Sequence, residues 1–484
     1  MISPHSPGFS RDRRSILYAA NMIIAAYFLT ASPQVAAAND KYVPVDWPGW
    51  RGPTHNGVTT EKGWTTTWPG ESPRKLWDKE IGKGFSTFAV VGGKAYTMGL
   101  DPAQKNQGLV YCLNAQTGEV LWTYPYATKS TGPYAGPRAS PCVSDNVLYT
   151  ITFEGRILAL DATNARLLWD KDVPSKFKPT VQQYGLNGSP LVWGQWVIFD
   201  IGPMIALDKK TGELVWKSKD YPCGNASPVA FEWNGKTCIT TLSHPGLVVV
   251  DAKDGSELAF ASWSRSANAC TPMPVDGNIF IECDFRAGTA LLQLDPSYRD
   301  ERIVQVIPGM ETRLKYNTGP APATAPAATA PATKNTEWTP TPAVEPIRGI
   351  RVLYENNHMT NQFHNAVVYN GHAYGQHQST NGLRCLEVKT GKVVWDHPRL
   401  GKELPLIIAD GKIIMFTGKQ LDEILFAEAA PVGYKQLGKF EVGEVITQTA
   451  PKSDPIIACS PVLSGGRLFL RWSNGKAMCF DLRP

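Results

Sequence analysis

The chain has 484 residues, of which 43% are hydrophobic and 10% aromatic, so it can bury a large core and is not a disordered chain. Gly 43 and Pro 38 make up about one residue in six, and charged residues are only 19%, a composition of many tight turns and few solvated helices. The formal net charge of +5, from 48 basic and 43 acidic residues, is too balanced for a nucleic-acid binder.

The chain opens with the features of an export leader. Arg11, Arg13 and Arg14 precede the apolar run Ile16 to Ala31, and the small residues Ala36-Ala37-Ala38 follow. That is the order of a signal peptide cleaved after Ala38. The run is shorter than the roughly 20 residues a spanning helix needs. Arg13-Arg14-Ser15-Ile16-Leu17 also resembles a twin-arginine signal; an ordinary basic region is the alternative reading. No Cys stands near the cleavage point to carry a lipid. The expected location is the periplasm or the medium, with no membrane segment left after cleavage. Residues 39–74 then form an N-terminal wrap carrying Trp47, Trp50, Trp64 and Trp68.

From there one motif recurs. Leu113-Asn-Ala-Gln-Thr-Gly-Glu-Val-Leu-Trp122 returns as Leu160 to Trp169, as Leu207 to Trp216 and as Leu386 to Trp395. Partial copies begin at Val250, Leu294 and Phe480. An apolar strand ends at an Asp or Asn whose side chain can accept turn N–H groups. Thr-Gly closes the turn, with Gly allowing positive φ, and a second strand carries the Trp. Between the copies lie hairpin signals: Gly92-Gly93, Asp145-Asn146, Gly194-Gln195, Asn234-Gly235, Asp276-Gly277, Asn370-Gly371, Asp410-Gly411 and Gly465-Gly466. Such dipeptides between apolar runs mark two-residue turns. Two hairpins make a four-stranded unit, and a period of about 40–50 residues reads as propeller blades.

The interval from Asp276 to Asn370 is about twice the others. It holds a Pro/Ala/Thr-rich stretch over 318–345, expected as a disordered, extended insertion within the fifth blade. The last unit stops at Cys479-Phe-Asp-Leu-Arg-Pro484 without a Trp strand. Lys75 to Ile81, which contains Trp77, supplies the missing piece. The expectation is an all-β, eight-bladed propeller over 75–484, closed by an N-terminal strand.

Trp77, Trp122, Trp169, Trp216 and Trp395 repeat at one structural position, which makes them wedges between blades. Cys112, Cys385 and Cys479 share a slot that Ala159 and Ala206 fill elsewhere, so the slot wants small volume. The nine Cys include no C-x-x-C or adjacent pair, which argues against zinc-ribbon or dithiol chemistry. One or two disulfides among Cys223, Cys238, Cys270 and Cys283 stay open.

Residues just before the first strand of each blade should ring one channel mouth. They are Arg138, Asn187, Asn225 and Asn268. A guanidinium and three amides could take carboxylate, phosphate or sugar groups; the alternative is that they bond neighbouring loop backbone. If Asn370-Gly371 is a two-residue turn, His364 and His377 face each other at the same mouth, with His358 as a nearby third group for a transition metal. No G-x-S-x-G, P-loop or dinucleotide fingerprint stands out.

The Leu-Asp-x-x-Thr-Gly-x-x-x-Trp repeat resembles the tryptophan-docked blades of quinoprotein-like (PQQ-repeat) propellers, from about Trp47 to Pro484. Trp50-Arg-Gly-Pro53, Gly136 to Pro141, Gly188-Ser-Pro190 and Cys459-Ser-Pro461 carry a closer likeness to exported bacterial members. The resemblance implies two roles. One is a non-catalytic scaffold similar to the BamB lipoprotein, binding a protein or small ligand at the top face as a monomer. The other is a PQQ- and calcium-dependent dehydrogenase of alcohols or sugars. The adjacent Cys pair of the alcohol-oxidising branch is absent, and no acidic calcium ligand can be placed, so PQQ with calcium lacks support from ligand motifs. The lipidation Cys of the scaffold branch is absent too.

Overall fold

The computed structural model describes residues 45–132, 134–179, 184–263, 268–283, 288–306, 341–361, 363–401, 403–446 and 456–484. The expected leader over 1–38, the start of the wrap and most of the 318–345 insertion lie outside them.

Nearly every element is a strand. The strands form seven sheets, most of them of four strands in chain order. The first unit comprises Ala89–Val91, Lys94–Leu100, Gln107–Asn114 and Val120–Ala127. The second runs from Cys142–Ser144 to Leu167–Asp172 and the third from Leu191–Trp193 to Leu214–Lys217. The fourth (Val229–Trp233 to Glu257–Ser262) and fifth (Met273–Val275 to Thr341–Asn356) join into one eight-stranded sheet. The sixth runs from Val367–Tyr369 to Val393–His397 and the seventh from Leu406–Ala409 to Gln436–Glu441.

The inner hairpins follow from their turn residues. Both central residues have positive φ at Gly92-Gly93, Asp145-Asn146, Asn234-Gly235, Asp276-Gly277, Asn370-Gly371, Asp410-Gly411 and Gly465-Gly466. That geometry twists with the strands it joins. The registers Val91↔Lys94, Ser144↔Val147 and Ser464↔Arg467 confirm two-residue loops.

Closure is by Arg74–Glu80, which pairs antiparallel with the last strand, Lys476–Asp481, so that Trp77 lies opposite Cys479. The chain's two ends thus share one sheet and leave no unit short of a strand. The same register explains the small-residue slot. Cys112 lies opposite Trp122, Ala159 opposite Trp169, Ala206 opposite Trp216 and Cys385 opposite Trp395. In each case a bulge follows, and the small partner leaves the indole room.

Each indole then reaches the next unit. Nε1 donates to a carbonyl there: Trp77 to Ala115 (3.1 Å), Trp122 to Ala162 (3.2 Å), Trp169 to Lys209 (3.2 Å), Trp216 to Ala252 (2.8 Å) and Trp395 to Ala430 (3.0 Å). Tyr354, in the equivalent place in the fifth unit, donates its hydroxyl to Val388 (2.6 Å). The turn glycines lie against these rings. A Cβ at Gly118 would sit 2.7 Å from the Trp77 indole, and one at Gly212 2.7 Å from Trp169.

Two expectations change. The low-complexity insertion does not occupy all of 318–345: Thr341–Glu345 are strand, paired with Arg302–Val306. And all nine cysteines, Cys223, Cys238, Cys270 and Cys283 among them, are free and buried. Burial pushes the Cys112 thiol up to about 11 and Cys385 up to about 12, since a thiolate is poorly solvated there. The Cys slot is therefore packing and not redox chemistry.

Two outcomes follow. Trp77→Ala should cost about 3–5 kcal/mol in denaturant unfolding, the usual penalty for emptying a buried indole site, whereas Trp77→Phe should lose less. Thiol titration should find almost no reactive cysteine in the native protein and all nine in denaturant without reductant; a shortfall in denaturant would reveal a disulfide.

Candidate functional site

The inner strands surround the axis, and the N-terminal segment enters among them instead of wrapping the outside. Trp47 bridges Val90 of the first unit, and the Pro48 carbonyl accepts Val143 N of the second (2.8 Å). Trp50 Nε1 donates to Thr271 Oγ1 of the fifth (3.1 Å) and Arg51 to the Ala366 carbonyl beside the sixth (3.0 Å). Val58–Thr59 pairs parallel with Ile408–Ala409 of the seventh. Glu61, fully buried, accepts Gly465 N and Gly466 N at the turn of the closing unit. A single short segment thus touches inner strands on opposite sides of the ring. Trp47 and Arg51 are buried, and burial lowers the Arg51 guanidinium to about 10 while Glu282 opposes the shift.

Around this segment runs a relay of hydroxyls. Thr87 N donates to Ser140 Oγ (3.0 Å), Ser140 N to Ser189 Oγ (2.9 Å) and Ser189 N to Ser227 Oγ (2.9 Å). Thr271 N donates to Asn365 Oδ1 (3.2 Å), and Thr87 Oγ1 to the Ser460 carbonyl (2.8 Å). The Ser-Pro pairs visible in the sequence are the parts of this inner seam. Their recurrence was the signal; the partner, the neighbouring unit's backbone, could not be read from it.

Arg138, Asn187, Asn225 and Asn268 precede the inner strands of their units and make mostly local bonds. Arg138 donates to the carbonyls of Gly136 (3.3 Å), Tyr184 (3.3 Å) and Tyr134 (2.6 Å). Its guanidinium sits 4.9 Å from the Phe85 ring, 5.5 Å from Tyr184 and 5.9 Å from Phe153. Desolvation lowers it to about 10. Asn187 donates to Asn225 Oδ1. The Asn225 backbone N–H donates to the Asn268 carbonyl (3.0 Å), and the Asn268 amide to Ser243 O (2.8 Å) and His244 O (3.2 Å). The structure brings the three amides together in one chain and leaves Arg138 beside it, in an aromatic cage.

The His pair is a correction. The hairpin register is as expected, with Val367↔Tyr374 and Tyr369↔His372, but the strand begins only at Val367. Upstream, Asn365 clasps Thr271 through both its amide atoms (Nδ2 to Thr271 O, 2.9 Å), and this pulls the chain toward the fifth unit. His364 therefore turns to Glu403 (Nε2 to Oε2, 3.4 Å), His377 to Thr360 and Ser379, and His358 to the Gly391 carbonyl. Among the described residues no three His, Cys, Asp or Glu converge as metal ligands.

Two buried acids went unremarked in the sequence. Asp200 accepts Gly202 N (3.0 Å) and Thr241 Oγ1 of the next unit (2.8 Å). Glu282 accepts Asn361 Nδ2 and Ala366 N. Burial pushes both carboxyls up to about 7. Each sits at the end of the second strand of its unit, as does Arg471, which donates to Thr97 Oγ1 and the Gly82 carbonyl. Nothing in an isolated Phe-Asp or Ile-Glu pair marks such a role.

Concentric four-stranded units, Trp-to-carbonyl seams and a shared first and last sheet define a β-propeller of the tryptophan-docked class. The family model described as outer membrane protein assembly factor BamB matches residues 59–198 and 106–273. Over that stretch the chain is similar to PQQ-like repeat β-propeller proteins. It is 30% identical over 113 residues to an outer membrane protein assembly factor BamB of Kangiella koreensis (22% of this chain, 27% of that protein). It is 33% identical over 88 residues to a 1-butanol dehydrogenase (quinone) of Thauera butanivorans (17% and 14%), and 29% identical over 132 residues to a quinoprotein ethanol dehydrogenase of Pseudomonas aeruginosa (25% and 20%). The matched stretches span about a quarter or less of those relatives' lengths. Among solved structures, BamB from Moraxella catarrhalis superposes with a TM-score of 0.51 at 13% identity, covering 85% of this chain and 98% of that one. A quinohemoprotein alcohol dehydrogenase from Comamonas testosteroni does so at 0.50 and 13%, covering 92% and 81%. These likenesses are of fold. No helix among the described residues is long and apolar enough to cross a membrane.

The buried acids predict a pH dependence. Carboxyls in the unfolded chain titrate near 4, and these are held protonated to about 7. Their contribution to stability is thus full below about pH 4 and is lost as pH rises through about 7. The melting temperature should fall from pH 5 to pH 8, and Asp200→Asn, whose Oδ1 still accepts Gly202 N while its Nδ2 donates to Thr241 Oγ1, should flatten that fall. An equally steep profile in the variant would refute the assignment.

Proposed function

We propose that the protein is a non-catalytic binding module of the cell envelope, a monomeric ring of eight blades with one face given to a partner. The observation that carries this reading is the N-terminal segment among the inner strands. Trp47, Trp50 and Arg51 tie inner strands of several units together, Trp47 to Val90, Trp50 through Nε1 to Thr271, and Arg51 to the Asn56 and Ala366 carbonyls. What stays available is the mouth over the first three units. There Arg138 is half-buried against Phe85, Phe153 and Tyr184, and Tyr134 is 47% exposed. Aromatic rings around a guanidinium whose donors are partly committed to backbone make a rigid anchor, the composition that dominates binding energy in protein interfaces.

The second reading, a PQQ-dependent dehydrogenase with calcium, is favoured by the relatives named as quinone dehydrogenases. The described residues do not fit that pair. A calcium ion needs a converging shell of about six to eight oxygens from carboxylates, carbonyls and water. Here the buried carboxyls Glu61, Asp200 and Glu282 serve different junctions and accept hydrogen bonds from their own surroundings.

The two readings part on one measurement. Purified protein mixed with PQQ and calcium should show no bound-quinone absorbance, no dye reduction with alcohols or sugars, and an unchanged melting temperature. A retained quinone spectrum with alcohol-dependent dye reduction would overturn the binding-module reading in favour of the enzyme.

A further inference from the structure

Among the described residues three arginines lie on aromatic rings, Arg138, Arg348 and Arg351, and the last two each hold a carboxylate. Arg348 stands 4.6 Å from the Phe260 ring and grips Glu257 with one edge of its guanidinium, Nε to Oε1 and Nη2 to Oε2 (2.9 Å). Arg351 stands 4.5 Å from the Tyr298 ring and donates to Asp295 Oδ2 (2.9 Å). Arg138 is bedded on Phe85, Phe153 and Tyr184, yet its hydrogen bonds all go to backbone carbonyls and no carboxylate pairs with it.

Those bonds leave one edge of the Arg138 guanidinium unused. Nη1 donates to the Gly136 and Tyr184 carbonyls and Nη2 to the Tyr134 carbonyl, while no bond engages Nε. Nη2 carries a second hydrogen. Nε and Nη2 share one edge of the planar group, the edge with which Arg348 takes both oxygens of Glu257, and its spacing matches a carboxylate. The Nη2 bond lies at the surface, beside a Tyr134 ring that is 47% exposed. The acid that follows Phe153 is turned elsewhere: Glu154 Oε1 accepts Thr128 Oγ1 and Lys129 N. A half-buried guanidinium therefore stands at the mouth without a counter-charge, and only the Tyr184 phenol opposes the effect of its burial. An uncompensated charge in such a place favours an anionic partner.

We infer that Arg138 takes the carboxylate of an Asp or Glu side chain on a partner protein, with an apolar neighbour of that residue against the Tyr134 ring. Glu257 on Arg348 is the completed contact within the chain itself. The inference rests on the binding-module reading and names the group by which the partner is recognised.

The test titrates the full chain with a fluorescent peptide carrying Glu between two Leu residues, and with the same peptide carrying Gln instead. Saturable binding of the Glu peptide is expected, roughly tenfold tighter than that of the Gln peptide. Arg138→Lys, which keeps the charge and loses the fork, should weaken it by a similar factor, and an unchanged melting temperature shows that the variant is folded. In the unaltered protein, butanedione labelling of Arg138, read by peptide mass spectrometry, should slow with the Glu peptide and not with the Gln peptide; this serves alone if the variant does not fold. Equal affinity for the two peptides overturns the inference, as does binding that leaves Arg138 unprotected, and the binding-module reading then stands with another anchor. Absence of saturable binding overturns it too; the binding-module reading falls only if PQQ and calcium give the enzyme. Glutarate that displaces the Glu peptide at equal affinity would make Arg138 a receptor for free carboxylates and overturn the assignment to a protein partner.

Discussion

The contact on which the rest of the structure depends is an indole laid across the next unit's Thr-Gly turn. A sheet of four strands has two apolar faces and cannot bury both alone. The Trp side chain solves this by leaving its own sheet: opposite a Cys or Ala it has room to swing out, over a Gly it has room to land, and its N–H finds a carbonyl that the turn leaves open. Three positions must therefore agree, and they do so at Trp77 with Cys479 and Gly118, and at Trp169 with Ala159 and Gly212. The buried ring supplies area and the N–H supplies direction. Because Trp77 lies near the start of the chain, in Arg74–Glu80, and in the last sheet of the fold, the same contact that joins neighbours also closes the ring.

Where the indole is missing, something else takes its place. The fourth unit has Ala259 in the Trp position and the seventh has Gly438. Those are the two units whose outer edges the chain covers. In the seventh, Trp64 and Trp68 come in from the N-terminal segment to meet Phe426, with Trp68 also against Phe440. In the fourth, Arg348 and Phe260 stack beside Tyr221. An absent Trp and a covering segment are one structural choice.

The parts that were legible in the sequence are those governed by short-range rules. Asp-Gly and Asn-Gly pairs force positive φ, so the inner hairpins and their registers follow from the dipeptides. The Trp repeat and the truncated final unit together disclose closure. The parts that were not legible depend on single long-range contacts. Arg51 and Glu61 carry no periodicity and reach inner strands hundreds of residues away, so the contacts of residues 45–61 could not be read from the sequence. The facing of His364 and His377 failed for a related reason. The turn rule gave the right register, but Asn365 satisfies its amide on Thr271 of another unit, and the ladder ends before His364. Asp200 and Glu282 looked like ordinary strand ends because burial is a property of the neighbour and not of the residue.

The same division separates rigidity from recognition. Toward the inner strands, backbone N–H groups donate to the next unit's hydroxyls, the Asn268 amide to nearby carbonyls, and Asp200 and Glu282 accept from N–H and O–H groups. Displacing one of these hydrogen bonds would leave a buried donor or acceptor unsatisfied. Toward the perimeter the commitments thin out. Backbone groups on the outer strands have only one neighbour, and the side chains at the bulge are aliphatic. On the fourth unit a strand of the chain itself supplies the second neighbour.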